Sequence, residues 1–595
     1  LLANLRREQP EARLLLLTPF MENADQIATW LSRERGHSIN VQWRPSRIVL
    51  GLARVIGQRG DWRIQLDWTD PYSARARPKS LVIPVGRVKA GIGTNTERVL
   101  FLARKFQPLG TALAMFSASP ADAEEAAWQY SQSADEIHRD GQTPQMRLAI
   151  ALARHEFGAD ARLATCLERG VAYHHSALST ILRYLIEDQV RAKTIRFVAA
   201  TSTLAQGMNF PVATILVHSV HKPRGGGNFS GSEFWNIAGR AGRVGMVEQG
   251  LVIFADERHQ DHLERYASDL RNVLTSALLA ILPRLRPDVP LKEQYRNLPA
   301  LRPFIQYLAH ASATSSPARA IANLEELIQQ SLANQQVKTP ADSQKLRNIA
   351  RGYLQQLTGQ QAGMVKAADQ TGLATFNFNE LYAKLRDDPV LRIGPREVMK
   401  QGENGLQRLI EVLQWIPELN LALGLGAGDM NVRAVAKVVQ GWIDGREVHE
   451  LASLFPGGDV AAQRRNAARY VYGTVSQNMS WGTHAYLRGW LMTGVPAEQP
   501  PEDKMLPAYM QYGVHSPEAA IASLLGVPRP FAEAMGTVYK QGNGPLTPET
   551  TTRFKSYVES ADERAWGSVV ERSGVAGVNA ADIRTVLRQM QGLSG

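Results

Sequence analysis

Short apolar runs alternate with helical segments between residues 91 and 256, and this rhythm restricts the possible folds more than any other feature of the sequence. The runs at 112–116, 171–174, 194–200, 214–220 and 249–254 are bounded by turns, and amphipathic segments such as 94–107 separate them. Apolar strands interleaved with helices are typical of a mostly parallel, doubly wound sheet that is covered on both faces. We therefore predict one α/β domain over residues 91–256.

The residues before this domain follow two other patterns. Residues 1–9 and 23–31 have helical apolar spacing, and the apolar run 13–17 between them predicts a short buried strand. In the segment 44–89, Trp62, Ile64, Leu66 and Trp68 alternate with polar residues, which is the period of a half-buried antiparallel strand. This segment holds ten Arg or Lys against three Asp, so it is both β-rich and basic.

Helical periodicity dominates after residue 256, with proline-rich breaks at 283–290 and 496–501. The predicted fold class is therefore α/β followed by mostly α. The pattern changes near residues 90 and 256 and these two breaks indicate boundaries between domains.

Charge and cysteine content restrict the partners and the compartment. The 595 residues carry 67 Lys+Arg against 56 Asp+Glu, a formal charge of +11, which favours a polyanionic partner such as nucleic acid. Cys166 is the only cysteine, so we predict no internal disulfide, no metal site and an intracellular, cytoplasmic protein. No apolar stretch is long enough to span a bilayer, so no membrane contact is expected.

The most informative motif is the run 236–243, Asn-Ile-Ala-Gly-Arg-Ala-Gly-Arg. It places Arg240 and Arg243 three residues apart with a glycine beside each. A planar guanidinium stays charged and can bind two phosphate oxygens at once, and the glycines let the backbone approach a ligand closely. A surface helix with two solvated arginines would give the same short pattern. The function of this motif must therefore be inferred from the sequence around it.

About thirty residues upstream, the run 201–211 reads Thr-Ser-Thr-Leu-Ala-Gln-Gly-Met-Asn-Phe-Pro and follows a predicted strand. Hydroxyls and amides at the end of a strand suit a phosphate backbone. This run followed by Gly-Arg-Ala-Gly-Arg resembles motifs V and VI of superfamily 2 helicases, and most closely the Ski-like branch. Further segments in the family's order are 14–31 for motif III, 43–45, 112–117 for motif IV, and 171–176 with Arg183 and Glu187.

This resemblance divides the chain into five segments and implies a fold for each. Residues 1–90 would be the end of a first RecA-like domain with the basic β-rich segment, and residues 91–256 would be the second RecA-like domain. Residues 257–375 would correspond to a winged helix, 376–496 to a helical bundle, and 497–595 to a C-terminal helical domain with a helix-hairpin-helix element.

The resemblance also implies an activity, namely ATP-dependent movement along single-stranded DNA or RNA, with ATP and Mg²⁺ as cofactors and a possible protein partner in a multi-subunit system. Arg240 and Arg243 would be catalytic, stabilising charge on the γ-phosphoryl group. The other implied contacts are Gly207, Asn209, Asn236 and Gly239 for ATP, and Thr201, Thr203 and His174 for the nucleic acid.

Departures from the family pattern leave alternatives open. Motif III reads Leu-Thr-Pro-Phe at 17–20 without the usual Ser-Ala-Thr, and Asn236 stands where the Ski-like pattern has Gln. No GxxxxGK[ST] loop occurs in the 595 residues, so no phosphate-cradling loop is encoded in them. We therefore expect this chain to be a fragment that holds half of an ATP site and is inactive alone. An ATPase-inactive protein that binds nucleic acid or serves as a scaffold is the alternative.

Overall fold

The computed structural model describes residues 2–16, 21–32, 37–39, 47–58, 61–71, 79–86, 92–116, 119–138, 141–201, 212–222, 227–242, 249–268, 275–286, 289–425, 431–494, 502–544, 546–547 and 549–591. Everything stated below concerns these residues.

Eight strands form one mixed sheet. Three antiparallel strands come first, and five parallel strands follow. Their bounds are β1 Arg47–Gln58, β2 Asp61–Thr69, β3 Lys79–Gly86, β4 Ala112–Met115, β5 Val171–His174, β6 Phe197–Ala200, β7 Thr214–Val217 and β8 Gln249–Phe254. The strand order is β3-β2-β1-β8-β7-β4-β6-β5.

The central strands explain the apolar runs of the sequence. All four residues of each of β4, β5, β6 and β7 are buried, because helices cover both faces. The parallel register pairs Ala112 with Phe197 on one side and with Thr214 on the other. The predicted doubly wound sheet is therefore confirmed.

The basic β-rich segment extends this same sheet. β1 pairs antiparallel with β2 and parallel with β8, with Leu50 opposite Thr69 on one side and Val252 on the other. The three strands β1, β2 and β3 are thus part of the same sheet as the α/β domain predicted over residues 91–256.

Helices make up most of the rest of the described chain. Two precede the sheet, α1 Leu2–Glu8 and α2 Ala24–Ser32. Those within the α/β domain are α3 Asn95–Phe106, α4 Pro120–Ser131, α5 Pro144–Phe157, α6 Arg162–Glu168, α7 Thr180–Arg191, α8 Gly231–Ala238 and α9 Gln260–Ser268.

The predicted helical region after residue 256 is confirmed. Its first helices are α10 Ala277–Ile281, α11 Leu291–Asn297, α12 Arg302–Thr314, α13 Pro317–Ala322, α14 Leu324–Gln329, α15 Leu332–Gln336, α16 Pro340–Thr358, α17 Ala362–Thr371, α18 Thr375–Asp387, α19 Pro395–Gln401 and α20 Glu403–Leu413. The remaining ones are α21 Val432–Ile443, α22 Val448–Leu451, α23 Val460–Arg469, α24 Ser480–Leu491, α25 Glu502–Tyr512, α26 Pro517–Leu524, α27 Arg529–Asn543, α28 Thr551–Ser560, α29 Glu563–Ser573 and α30 Ala580–Met590, and a π-helix at Tyr470–Met479 joins α23 to α24.

The chain divides into two compact units. One comprises Leu1–Asn40, Val273–Gln440 and Thr474–Gln511, and the other comprises Val41–Asn272, Gly441–Gly473 and Tyr512–Gly595. The second unit contains the sheet, so two later stretches of the chain return to the α/β domain. The five consecutive domains with their winged helix and helical bundle stay a prediction.

One sequence-based expectation is wrong. Residues 13–16 of the run predicted as a buried strand form no regular structure, and Leu15 is 82% exposed. A strand needs a neighbour for its backbone hydrogen bonds, and no described strand pairs with this run. Among the described helices, none has the length and apolarity needed to cross a bilayer.

Candidate nucleotide and nucleic-acid site

Helix α8 carries the first part of the arginine motif. Ser230 caps it, because the Ser230 hydroxyl accepts a hydrogen bond from the Glu233 backbone N–H and the Glu233 carboxylate accepts one from the Ser230 N–H (3.3 and 2.8 Å). Phe234, Trp235, Ile237 and Ala238 are buried, whereas Asn236 is exposed. The helix therefore buries its apolar face and leaves Asn236 at the surface.

The turn after α8 is fixed by backbone contacts. The Arg240 carbonyl accepts a hydrogen bond from the Val212 N–H (3.1 Å), and the Gly242 N–H donates to the Val212 carbonyl (3.0 Å). Gly242 has φ +68°, and a Cβ there would lie 2.5 Å from the Gly250 nitrogen. The motif needs glycine here because two backbones touch.

These contacts show which end of the sheet the turn occupies. Val212 precedes β7, and Gly250 is at the start of β8. Gly239 and Arg240, both half-buried, thus lie at the amino-terminal edge of the parallel strands.

His174 and Thr201 lie at the opposite edge. His174 is the last residue of β5, Thr201 directly follows β6, and the Thr201 N–H donates to the His174 carbonyl (3.2 Å). Each of these two residues is 5% exposed. The His174 Nε2 lies 3.2 Å from the Glu187 Oε1, and burial lowers the pKa of His174. Both residues are therefore packed into the carboxyl edge, and strand binding by either stays a prediction.

Four predicted site residues lie outside the described part of the chain: Thr203, Gly207, Asn209 and Arg243. Thr203 follows Thr201 by two residues, and Asn209 precedes Val212 by three. Thr201 thus lies at the carboxyl edge of the sheet and Val212 at the amino-terminal edge.

Sequence reasoning missed an ionic cluster beside the carboxyl edge. The Arg465 guanidinium donates two hydrogen bonds to the Glu124 carboxylate (2.9 and 2.8 Å), and the His175 Nε2 lies 3.0 Å from the same carboxylate. These contacts hold the pKa of Glu124 below its usual value against the opposing effect of burial. The adjacent His174 is the only sequence signal for this cluster, since Arg465 lies 341 residues from Glu124.

The region that contains both edges of the sheet matches a known protein family. Residues 145–245, which include β5, β6, β7 and α8, match the helicase conserved C-terminal domain. This region is a helicase C-terminal domain.

The relatives of this domain support a superfamily 2 DExH-type helicase of the Ski-like branch. The chain is 26% identical over 268 residues to Hachiman protein HamB of Bacillus cereus, a match that covers 43% of this chain and 23% of the relative. It is 37% identical over 98 residues to the ATP-dependent DNA helicase Hel308 of Aeropyrum pernix, covering 16% and 13%. It is 42% identical over 89 residues to the antiviral helicase SKI2 of Saccharomyces cerevisiae, covering 15% and 7%. The chain thus spans less than a quarter of the length of each of these relatives.

Proposed function

We propose that this helicase domain forms one wall of an ATP-driven motor that moves along single-stranded nucleic acid. The observation that carries the proposal is that the described members of the two predicted sets lie at opposite edges of one parallel sheet. Asn236, Gly239 and Arg240 are associated with the amino-terminal edge, and His174 and Thr201 with the carboxyl edge. A motor needs this separation, because the nucleotide and the strand must bind at different places on one rigid body.

The amino-terminal edge has donors that fit a nucleotide. Arg240 offers a guanidinium and Asn236 an exposed amide, both suited to phosphate oxygens. ATP bound there would supply the phosphoanhydride bond whose cleavage drives movement. The described residues contain no group of three or more His, Cys, Asp or Glu that could hold a metal ion. The phosphate-binding loop and the acids for Mg²⁺ would come from polypeptide outside the 595 residues.

In this proposal, Arg240 and Arg243 reach across a cleft to the γ-phosphate. Arginine fingers contribute on the order of 10³ to 10⁵ in rate in related phosphoryl transfers. Thr201 and Thr203 hold strand phosphates at the carboxyl edge, and the formal charge of +11 favours approach of the polyanion.

The test separates the two edges. The chain would be titrated with fluorescent single-stranded 20-mers of DNA and RNA between 50 and 300 mM NaCl. We expect affinity to fall steeply with salt, because neutralising Z phosphates of a single strand gives a logarithmic slope of about −0.7Z. Thr203→Ala should weaken binding on the order of tenfold, whereas Arg240→Ala should change it less than about twofold.

ATP hydrolysis requires the complementary wall. The chain would be mixed with, or fused to, the N-terminal RecA-like region of a Ski-like relative that supplies the phosphate loop and the DExH acids. Strand-stimulated hydrolysis should appear, and Arg240→Ala or Arg243→Ala should abolish it without loss of strand binding. Strand binding with no hydrolysis in any such combination would favour the scaffold alternative. Affinity for the strand that did not change with salt would count against both readings and favour a subunit that binds only proteins.

A further inference from the structure

Residues 220–222 and 227–229, which we call the hairpin, pair antiparallel directly before the cap of α8. His221 and Asn228 form an isolated antiparallel bridge. The Lys222 N–H donates to the Gly227 carbonyl (2.8 Å), and the Phe229 N–H donates to the Val220 carbonyl (3.0 Å). Ser230, the capping residue of α8, is next in the chain. The position of the hairpin therefore sets where α8 begins.

The amide side chain of Asn228 joins two imidazoles, one in the hairpin and one on α9. The Asn228 Oδ1 lies 2.5 Å from the His221 Nδ1, and the Asn228 Nδ2 lies 2.8 Å from the Nε2 of His262 on α9. An amide has one accepting and one donating group, whereas an imidazolium donates from both nitrogens. Whichever way the amide is turned, only one of the two rings can present an N–H to it. The bridge is therefore incompatible with protonation of both rings.

A third imidazole makes protonation less favourable still. The ring centroid of His259 lies 6.0 Å from that of His262 and 6.5 Å from that of His221. Burial, followed by the charges of neighbouring groups, lowers the pKa of both His259 and His262. Charged groups near the cluster come from several elements: Lys222, Glu233, Asp256, Arg258, Asp261 and Arg265, with Arg98 on α3 and Arg54 on β1 behind them.

Helix α9 holds both the hairpin and α8. The Tyr266 hydroxyl donates to the Phe229 carbonyl (2.8 Å), and the Trp235 Nε1 donates to the Tyr266 carbonyl (2.9 Å). The Tyr266 ring stacks on Phe234 with a centroid distance of 4.3 Å. Two sets of contacts thus connect the hairpin and α8 to α9, which together we call the joint. The Asn228 amide bridge is its polar part, and the packing of Tyr266 is its apolar part.

We propose that the His221–Asn228–His262 bridge is a pH-sensitive joint that fixes the start of α8 at neutral pH and opens when both rings are protonated. The joint exists whether or not the domain binds a nucleotide. Asn236 lies on this helix and Arg240 lies in the turn after it. If the proposed function holds, the position of these two nucleotide-binding residues therefore changes with pH.

Hydrogen exchange of the segment 228–240 tests the joint in the whole chain. Because burial lowers the pKa of His262 in the folded state, protection should be complete above the ordinary histidine pKa of 6.5 and be lost as the pH falls below it. After correction for intrinsic exchange, we expect a loss on the order of tenfold between pH 7.5 and 5.5, since one pH unit is a factor of ten in proton binding.

Two variants and a control make the result decisive. His262→Gln keeps an acceptor for the Asn228 amide but does not titrate, so its loss of protection over the same pH range should be less than about twofold. His262→Lys is cationic and only donates, so it takes the one donor position that the amide can accept; it should be protected at pH 7.5 and lose at least as much protection at pH 5.5 as the natural chain does. His37→Gln, at an exposed histidine outside the cluster, should behave as the natural chain does. An unchanged protection of the natural chain at pH 5.5, or an equal loss in His262→Gln, would overturn the proposal even if His262→Lys did not fold.

Discussion

Gly242 and Gly250 lie backbone to backbone where the turn after α8 meets β8, and a Cβ on either would come within 2.5 Å of main-chain atoms of the other segment. Gly242→Ala should therefore lower the free energy of unfolding by about 2 to 4 kcal/mol, through a left-handed backbone and overpacking together. Gly227→Ala is the matched control. Its φ is +73° but nothing lies within 4 Å of its Cβ, so about 1 kcal/mol is expected. Urea unfolding of both variants measures the difference, and equal costs would contradict the close approach.

Glu156 is a buried carboxyl that forms no ion pair with any cation in the described part of the chain. It is 5% exposed and accepts hydrogen bonds from the Tyr472 and Ser179 hydroxyls (2.8 Å each). Burial, with the nearby Glu447 carboxylate, raises its pKa from 4.5 to about 7. The protonated carboxyl therefore contributes its whole stabilisation below pH 4.5, and this contribution is lost as the pH rises through 7. The shift corresponds to about 3 kcal/mol in the free energy of unfolding.

Glu156→Gln should remove this loss. We expect the variant to be more stable than the natural chain by about 1 to 3 kcal/mol at pH 8 and near-equal to it at pH 4.5. Thermal unfolding at both pH values measures this, with Glu571→Gln, at an exposed position, as the control. A gain of the same size at pH 4.5 would show that ionisation is not the cause.

At the scale of elements, strands were predictable where the sheet buries them on both faces. The runs around 112–116, 171–174 and 214–217 could be read from the sequence because a buried parallel strand is apolar at every position. The run 13–17 has the same composition, yet residues 13–16 form no strand. The parallel pairing of β1 with β8 was also not predictable, because register between strands about 200 residues apart leaves no periodic signal.

Candidate site residues were likewise predictable where the signal is local in the sequence and not where it depends on distant residues. Asn236 and Arg240 could be found because their motif is contiguous, and the edge that each predicted set occupies required the sheet topology. The pair Glu124–Arg465 and the pair Glu156–Tyr472 could not be found, because each joins residues more than 300 positions apart. The sequence around a single charged residue does not indicate which distant residue it will contact in the folded protein.

Arg529 contacts four residues that lie at or near the ends of other C-terminal helices. Its guanidinium donates to the carbonyls of Gly513, Trp442 and Arg446 and to the Glu447 carboxylate, at 2.7 to 3.0 Å. It also lies over the Trp442 ring, 3.9 Å from the centroid. Glu447 in turn lies 3.1 Å from His155 on α5. The start of α27 is thereby tied to α21, α22 and the α/β domain.

Arg529→Lys should be costly although the charge is kept, because an ammonium cannot reproduce a planar fork with several acceptors. We expect a loss of about 2 to 4 kcal/mol in the free energy of unfolding. Arg553→Lys, at an exposed position on α28, should change it by less than about 0.5 kcal/mol. Denaturant titration compares the two, and equal small effects would contradict the joining role of Arg529.

At the scale of the whole molecule, α30 packs on α5 through an ion pair. The Arg147 Nε lies 3.1 Å from both oxygens of Asp582, whose side chain is 3% exposed. Arg147→Met should cost about 3 kcal/mol, because it leaves a buried carboxylate without its cation. Arg154→Met, on the same helix, should cost less than about 1 kcal/mol, since the Arg154 side chain is 45% exposed in its pair with Glu168. Exchange protection should fall in α5 and α30 together, and loss in only one of them would contradict a shared unit.

The return of α30 to α5 has a consequence for synthesis on the ribosome. Arg147 leaves the exit tunnel 435 residues before Asp582, which at about 5 to 20 residues per second is a delay of roughly 20 to 90 s. During that interval the surface of α5 that α30 will cover stays open to other chains and to chaperones. The nascent protein is therefore prone to aggregation until α30 has emerged, and slowing the ribosome over the codons of α30 should lower the yield of soluble product.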